Sequence, residues 1–125
     1  MIQKRVLVVD DELANRLLPG LFLRVLGHEV QECSYAQEAY GLLRSGRFTD
    51  LLLDISLPGV SGLEVCRNLR QDPGMSGLRI VAYTAHAMPE ETRSFIEAGF
   101  DDLLLKPICQ ADIYKVFAPE AVAAR

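Results

Sequence analysis

Five residues of this chain could do chemistry together if the fold gathers them. Asp54 closes the run Leu51-Leu52-Leu53-Asp54, after which the chain turns through Pro58, Gly59 and Gly62. A short apolar run bounded by turn residues predicts a strand buried on both faces. Open α/β sheets place ligands beyond the carboxyl ends of such strands. Val6-Leu7-Val8-Val9 runs in the same way into Asp10 and Asp11, Arg79–Tyr83 into Thr84, and Asp102–Leu105 into Lys106. Singly, each has an ordinary explanation: Asp54 can cap a helix or start a turn, Asp10 or Asp11 can be a loop acid, Thr84 can cap a turn and Lys106 can be a solvated lysine. Together they offer three carboxylates, a hydroxyl and an ammonium at four strand ends. Crowded carboxylates raise one another's pKa, and a hard divalent cation relieves this. Mg²⁺ prefers oxygen ligands, typically one or two carboxylates with phosphate and water. Lys106 supplies a cation for a phosphoryl oxygen and Thr84 a hydroxyl donor. Such a set suits phosphoryl transfer, in which positioning and charge neutralisation dominate, and a carboxylate can itself accept the phosphoryl group.

The elements that must position these groups alternate along the chain. Helical spacing follows the first strand from Leu13 to about Leu26, with Ala14, Leu18, Leu21 or Phe22 and Val25 assigned to the core face and Gly27 as the end. Pro19 and Gly20 conflict with a regular helix there and predict a kink, or a helix regular only after Pro19. His28–Cys33 reads as a strand near the sheet edge, and Ser34 as the cap of a helix from about Tyr35 to Ser45. Further helices are predicted over Leu63–Leu69, from Pro89 to Gly99, and from about Gln110 to Ala118. Strands alternating with helices imply βαβ units and a parallel sheet covered on both faces. The expected fold is α/β: a doubly wound five-stranded parallel sheet, (βα)5 and flavodoxin-like, in strand order 2-1-3-4-5. In that order strands one, three, four and five are neighbours, so the five chemical groups converge.

Composition narrows the function classes. A chain of 125 residues has room for one domain with a real core. A net charge of −4 argues against non-specific nucleic-acid binding, which needs a basic face. The three cysteines are odd in number and contain no CxxC, which excludes a disulfide framework or a zinc site and suits a reducing compartment. No signal-type segment follows Met1, and no apolar run approaches membrane-spanning length. A cytoplasmic protein with no membrane or nucleic-acid partner is expected.

Over nearly its whole length the chain resembles the receiver domain of two-component response regulators. The resemblance rests on Val8-Val9-Asp10-Asp11-Glu12, on Asp54-Ile55-Ser56-Leu57-Pro58-Gly59 with Gly62, on Thr84-Ala85-His86-Ala87, and on Glu97–Asp102 leading to Lys106-Pro107. It implies that Asp54 is the phosphoacceptor, that Asp11 ligates Mg²⁺ directly and Asp10 mostly through water, and that the Ser56 backbone carbonyl is a further ligand. It also implies that Thr84 is the switch hydroxyl, that Lys106 pairs with the phosphate, and that the Lys106–Pro107 bond is cis. A histidine kinase or histidine phosphotransfer protein would be the donor, with an unknown downstream partner. Leu103 stands where receivers usually carry Tyr or Phe, three residues before the lysine, and Pro19-Gly20 is unusual in the first helix. The expected organisation is a receiver over residues 1–120, a short tail over 121–125 and no output domain. The alternatives are a degenerate receiver that binds proteins without phosphorylation, a phosphatase with an aspartyl nucleophile, and a flavodoxin-type carrier. The complete acidic set opposes the first. Ser56, where a second Asp would act as general acid, opposes the second. Asp10-Asp11-Glu12, which would repel a cofactor phosphate, opposes the third.

Overall fold

A computed structural model of the chain describes residues 3–118; residues 119–125, with the expected tail, lie outside the described residues. Five strands form one parallel sheet: β1 (Arg5–Val9), β2 (Glu29–Cys33), β3 (Asp50–Asp54), β4 (Arg79–Thr84) and β5 (Asp102–Leu105), in the order β2-β1-β3-β4-β5. Helices α1 (Leu13–Val25), α2 (Ala36–Ser45), α3 (Gly62–Arg70) and α4 (Pro89–Ala98) lie in the four crossovers, and α5 (Gln110–Phe117) follows the last strand. The doubly wound five-stranded topology is the expected one.

The two-residue period of the strands divides the core. Leu7, Val9, Leu51, Leu53, Ile80 and Ala82 face α2, α3 and α4, in a layer that includes Ala39, Leu43, Val65, Leu69 and Phe95. Val6, Val8, Leu52, Val81, Tyr83 and Leu104 face α1 and α5, with Leu23, Ile113 and Phe117. The central strands are buried on both faces, which is why they read as unbroken apolar runs.

The inward face of α1 differs from the expected one. Pro19, Gly20 and Leu23 are buried and Phe22 and Leu26 pack beside them. Ala14, Leu18, Leu21 and Val25 are exposed, as are Leu13 and Leu17. The helix is apolar on two faces, so periodicity does not choose between them; Pro19 fits the inner one, and α1 runs as one helix through it. The cap of α2 also differs: Tyr35, not Ser34, is the N-cap, without a side-chain bond.

Beyond β3 the chain forms a small hairpin, Ser56–Leu57 against Val60–Ser61. Pro58 and Gly59, with φ +79° at the glycine, make its turn. Ser61 then caps α3 by accepting the Leu63 N–H at 3.1 Å. At the opposite edge of the sheet, buried Asp50 meets Arg79 at 3.2 Å and Lys4 at 3.8 Å. There too the buried His28 accepts the Lys4 N–H on Nδ1 at 3.0 Å, and its Nε2 lies 2.7 Å from the Phe117 carbonyl.

Candidate functional site

All five sequence-predicted side-chain positions fall on the carboxyl edge of the sheet. The pleat explains the facing of three of them. Asp54 has the same parity as Leu52, and Asp10 and Lys106 continue the parities of Val8 and Leu104, so these groups share the α1/α5 side. Thr84 has the parity of Ala82 and belongs to the α4 side. The Lys106 ammonium donates to Asp54 Oδ1 at 3.1 Å and lies 2.7 Å from Asp10 Oδ2. Asp54 Oδ1 also accepts the Ser56 N–H at 3.1 Å, so the hairpin that follows β3 grips the carboxylate it leaves behind. Asp10 Oδ1 accepts the Glu12 N–H at 2.9 Å. The Lys106–Pro107 bond is cis, as expected.

Two acids here are deeply buried: Asp10 is 0% and Asp54 3% exposed, whereas Asp11 is exposed. Burial pushes the Asp54 carboxyl above its ordinary range. The Ser56 N–H and Lys106 pull against this, and the charge of Asp10 adds to the rise. For Lys106, burial works to lower the ammonium, but Asp10 and Asp54 outweigh it and hold it above its usual value. One ammonium thus serves two buried carboxylates. The Asp50 cluster at the far edge is the contrast, with two cations to one buried acid.

Oxygens of Asp10, Asp11 and Asp54 lie within 4.8 Å of one another. Asp10 Oδ2 is buried, and the Lys106 ammonium at 2.7 Å is its partner. Three carboxylates sharing one ammonium leave oxygen ligands in excess of cations, which fits a hard divalent ion.

The Thr84 hydroxyl donates to the His86 carbonyl at 3.1 Å. The His86 imidazole is 3.5 Å from the Glu91 carboxylate, which accepts the Met88 N–H at 2.8 Å and so closes the first turn of α4. Leu103 is half-buried and, with Thr92, Phe95, Ile96 and Phe100, lines an open groove of about 220 Å³.

Two site neighbours escaped the sequence reading. Tyr83 pairs with Asp54 in the β3–β4 register, and its ring lies 4.8 Å from the Lys106 ammonium. Its position next to Thr84 on a site strand was the available signal. Arg16 donates to the Asp10 backbone carbonyl at 2.7 Å; nothing in the local sequence marks it.

The fold and this edge define a class: a flavodoxin-like domain with an acid cluster and a lysine where its parallel strands end. The chain belongs to the response regulator receiver family, whose receiver-domain profile matches residues 6–118. It is 37% identical over 115 residues to the sensor protein GacS of Pseudomonas syringae pv. syringae, covering 90% of this chain and 13% of that protein. It is 31% identical over 125 residues to the phosphate regulon transcriptional regulatory protein PhoB of Pseudomonas aeruginosa, covering 100% of this chain and 51% of that one. The chain therefore spans about half or less of the length of these two relatives. Among solved structures, the receiver domain of a sensor histidine kinase from Pseudomonas aeruginosa PAO1, with a magnesium ion coordinated in its active-site cleft, matches with a TM-score of 0.81 at 26% identity over 92% of this chain and 94% of that one. The chain is a receiver domain of two-component or phosphorelay signalling. Among the described residues no helix is long and apolar enough to cross a membrane.

Proposed function

We propose that Asp54 accepts a phosphoryl group from a phosphohistidine on a histidine kinase or histidine phosphotransfer protein, and that the modified domain changes its partner contacts. The observation that carries this is the setting of Asp54: a buried carboxylate at the end of the central strand, with Lys106 and the Ser56 N–H on Oδ1 and two further acids beside it. A carboxylate oxygen attacks phosphorus, the P–N bond breaks and its electron pair leaves on the imidazole. Lys106 pairs with a phosphoryl oxygen, and the Ser56 N–H keeps the Asp54 carboxylate aligned during attack. Asp10, Asp11, Asp54 and the Ser56 carbonyl would hold Mg²⁺, which when bound neutralises phosphoryl charge.

The donor must cover the rim of the site to bring its histidine to Asp54. On that rim α1 begins, two residues after Asp11, and from there Leu13, Leu17, Leu18, Leu21 and Val25 present an apolar stripe, each 39–60% exposed. A stripe of this kind marks a contact surface, and it supports α1 as the donor's docking face. For output, the Thr84 hydroxyl exchanges the His86 carbonyl for a phosphoryl oxygen, and the loop from Ala85 to Met88 and the start of α4 follow. Leu103 has no polar tip to join that exchange. Free thiols and the lack of a membrane-length helix in the described residues support a cytoplasmic setting.

The test is incubation with a small acyl phosphate and Mg²⁺, read by intact mass. The wild-type chain is expected to gain one phosphoryl group and Asp54→Asn none. Uptake by Asp54→Asn at the full rate would refute the assignment.

A further inference from the structure

Arg16 has no part in the chemistry above, yet it is largely buried and reaches the site. Its Nη1 donates to the Asp10 carbonyl at 2.7 Å, and its Nε lies 3.5 Å from Glu32 at the end of β2. Glu32 lies in turn 3.9 Å from Arg24 on α1. That carbonyl belongs to the peptide unit joining Asp10 to Asp11. Fixing its oxygen fixes the plane of the unit, and with it the direction in which the Asp11 side chain leaves the backbone. The other supports of this turn hold Asp10 and Glu12 but not Asp11: the Asp10 N–H donates to the Cys33 carbonyl at 3.2 Å, and the Glu12 N–H donates to Asp10 Oδ1 at 2.9 Å. Asp11 is exposed and lies among like charges, so repulsion favours its swinging outward.

Gly20 belongs to the same device. A Cβ built there would lie 3.3 Å from both Arg24 Nη1 and Glu32 Oε2. The bare backbone of α1 leaves the room in which Glu32 stands between the two arginines. This gives the unusual glycine of the first helix a structural reason.

We propose that Arg16, backed by Glu32, is a positioning residue that sets the Asp10–Asp11 peptide so that both carboxylates converge before a divalent cation arrives. This deepens the proposed function and rests on its cation site. Arg16 touches neither phosphoryl group nor metal; it acts by removing a preorganisation cost from binding.

The experiment compares wild type, Arg16→Met, Arg16→Lys and Glu32→Gln in three measurements: Mg²⁺ titration by amide chemical shifts, amide exchange of Glu12 without metal, and phosphoryl uptake from a small acyl phosphate as a function of Mg²⁺. Arg16→Met is expected to weaken Mg²⁺ binding about tenfold and to lower Glu12 protection in the metal-free protein. The uptake rate at saturating Mg²⁺ should stay within about twofold. Arg16→Lys, which keeps the charge and can reach the carbonyl, should recover part of the affinity, and Glu32→Gln should show a smaller loss. Unchanged Mg²⁺ affinity in a folded Arg16→Met protein would overturn the proposal, as would equal losses in affinity and saturated rate. If Arg16→Met does not fold, Glu32→Gln decides by the same criteria. Failure of the wild-type chain itself to bind Mg²⁺ or take up phosphoryl would instead refute the cation site, a distinct outcome.

Discussion

Replacing Lys106 by methionine keeps most of the apolar stem and removes the one ammonium shared by Asp10 and Asp54. The contacts are 2.7 and 3.1 Å, and at an effective dielectric of about 20 they correspond to roughly 6 and 5 kcal/mol of gross attraction. Dehydration of the ammonium offsets much of this. The two carboxylates left behind, with oxygens within 4.8 Å of one another, repel by roughly 3 kcal/mol or more on the same scale, no longer offset by the ammonium. Removing one partner of a buried ion pair costs about 3 to 5 kcal/mol, and the lower end suits a lysine that is 17% exposed. The pH dependence has a definite sign. Burial already raises Asp54 above its ordinary value of 3.8, and Lys106 pulls against that rise, so without the ammonium the folded-state pKa of Asp54 rises further. A carboxyl whose folded pKa exceeds its unfolded one destabilises the fold once ionised, so the penalty is full above the folded pKa and absent below the unfolded one. Urea unfolding of Lys106→Met should therefore show a loss of about 3 kcal/mol near pH 7 that shrinks to less than about 1 kcal/mol near pH 4. Mg²⁺ should bind the variant about fivefold more tightly, a gain of about 1 kcal/mol from the removed cation, while phosphoryl uptake falls. An equal loss at both pH values would show that stem packing, not charge, is at work, and no loss at neutral pH would refute the electrostatic account.

The same geometry sets other outcomes. In the metal-free protein the Asp54 carboxyl should protonate at a higher pH than an ordinary carboxylate, because burial raises it; a carboxyl carbon chemical-shift titration without Mg²⁺ checks this, and an ordinary or lowered midpoint would refute it. Leu17→Arg on the exposed face of α1 should change stability by less than about 0.5 kcal/mol. It should also slow transfer from a phosphohistidine protein about tenfold without altering uptake from a small donor; a wild-type rate from the phosphohistidine protein would remove α1 from the docking face. A methyl group on Gly62 would fall on the Asp54 carbonyl oxygen and the Ile55 Cα. Gly62→Ala should therefore cost about 2 to 3 kcal/mol in urea unfolding and shift the amide resonances around Asp54.

The sheet was legible because β1, β3 and β4 are buried on both faces and stand out as apolar runs, and because each ends in a residue with chemistry. Asp10, Asp54 and Lys106 could be brought together from topology alone, since parallel strands put like ends on one edge. The facing of α1 was not legible. Leu13, Leu17, Leu18, Leu21 and Val25 form as good a helical stripe as Pro19, Phe22, Leu23 and Leu26, and only packing against Val6, Val8 and α5 selects the second. Ser34 looked like a cap because serine often is one, but the backbone becomes helical one residue after Tyr35. Arg16 depends on a bend that brings a helix side chain back to a carbonyl six residues earlier, and Asp50 depends on cations from β4 and the start of the chain. Contacts of that kind carry no local periodic signal.

The imidazole of His28 joins the Lys4 amide to the Phe117 carbonyl, so the two ends of the described chain are fastened side by side. With Nδ1 accepting from Lys4, Nε2 is the nitrogen left to donate to the Phe117 carbonyl, and one imidazole bridges entry and exit. Both lie at the edge of the sheet away from Asp54. Segments attached at these two points would therefore start from neighbouring positions, on the side opposite the acid cluster.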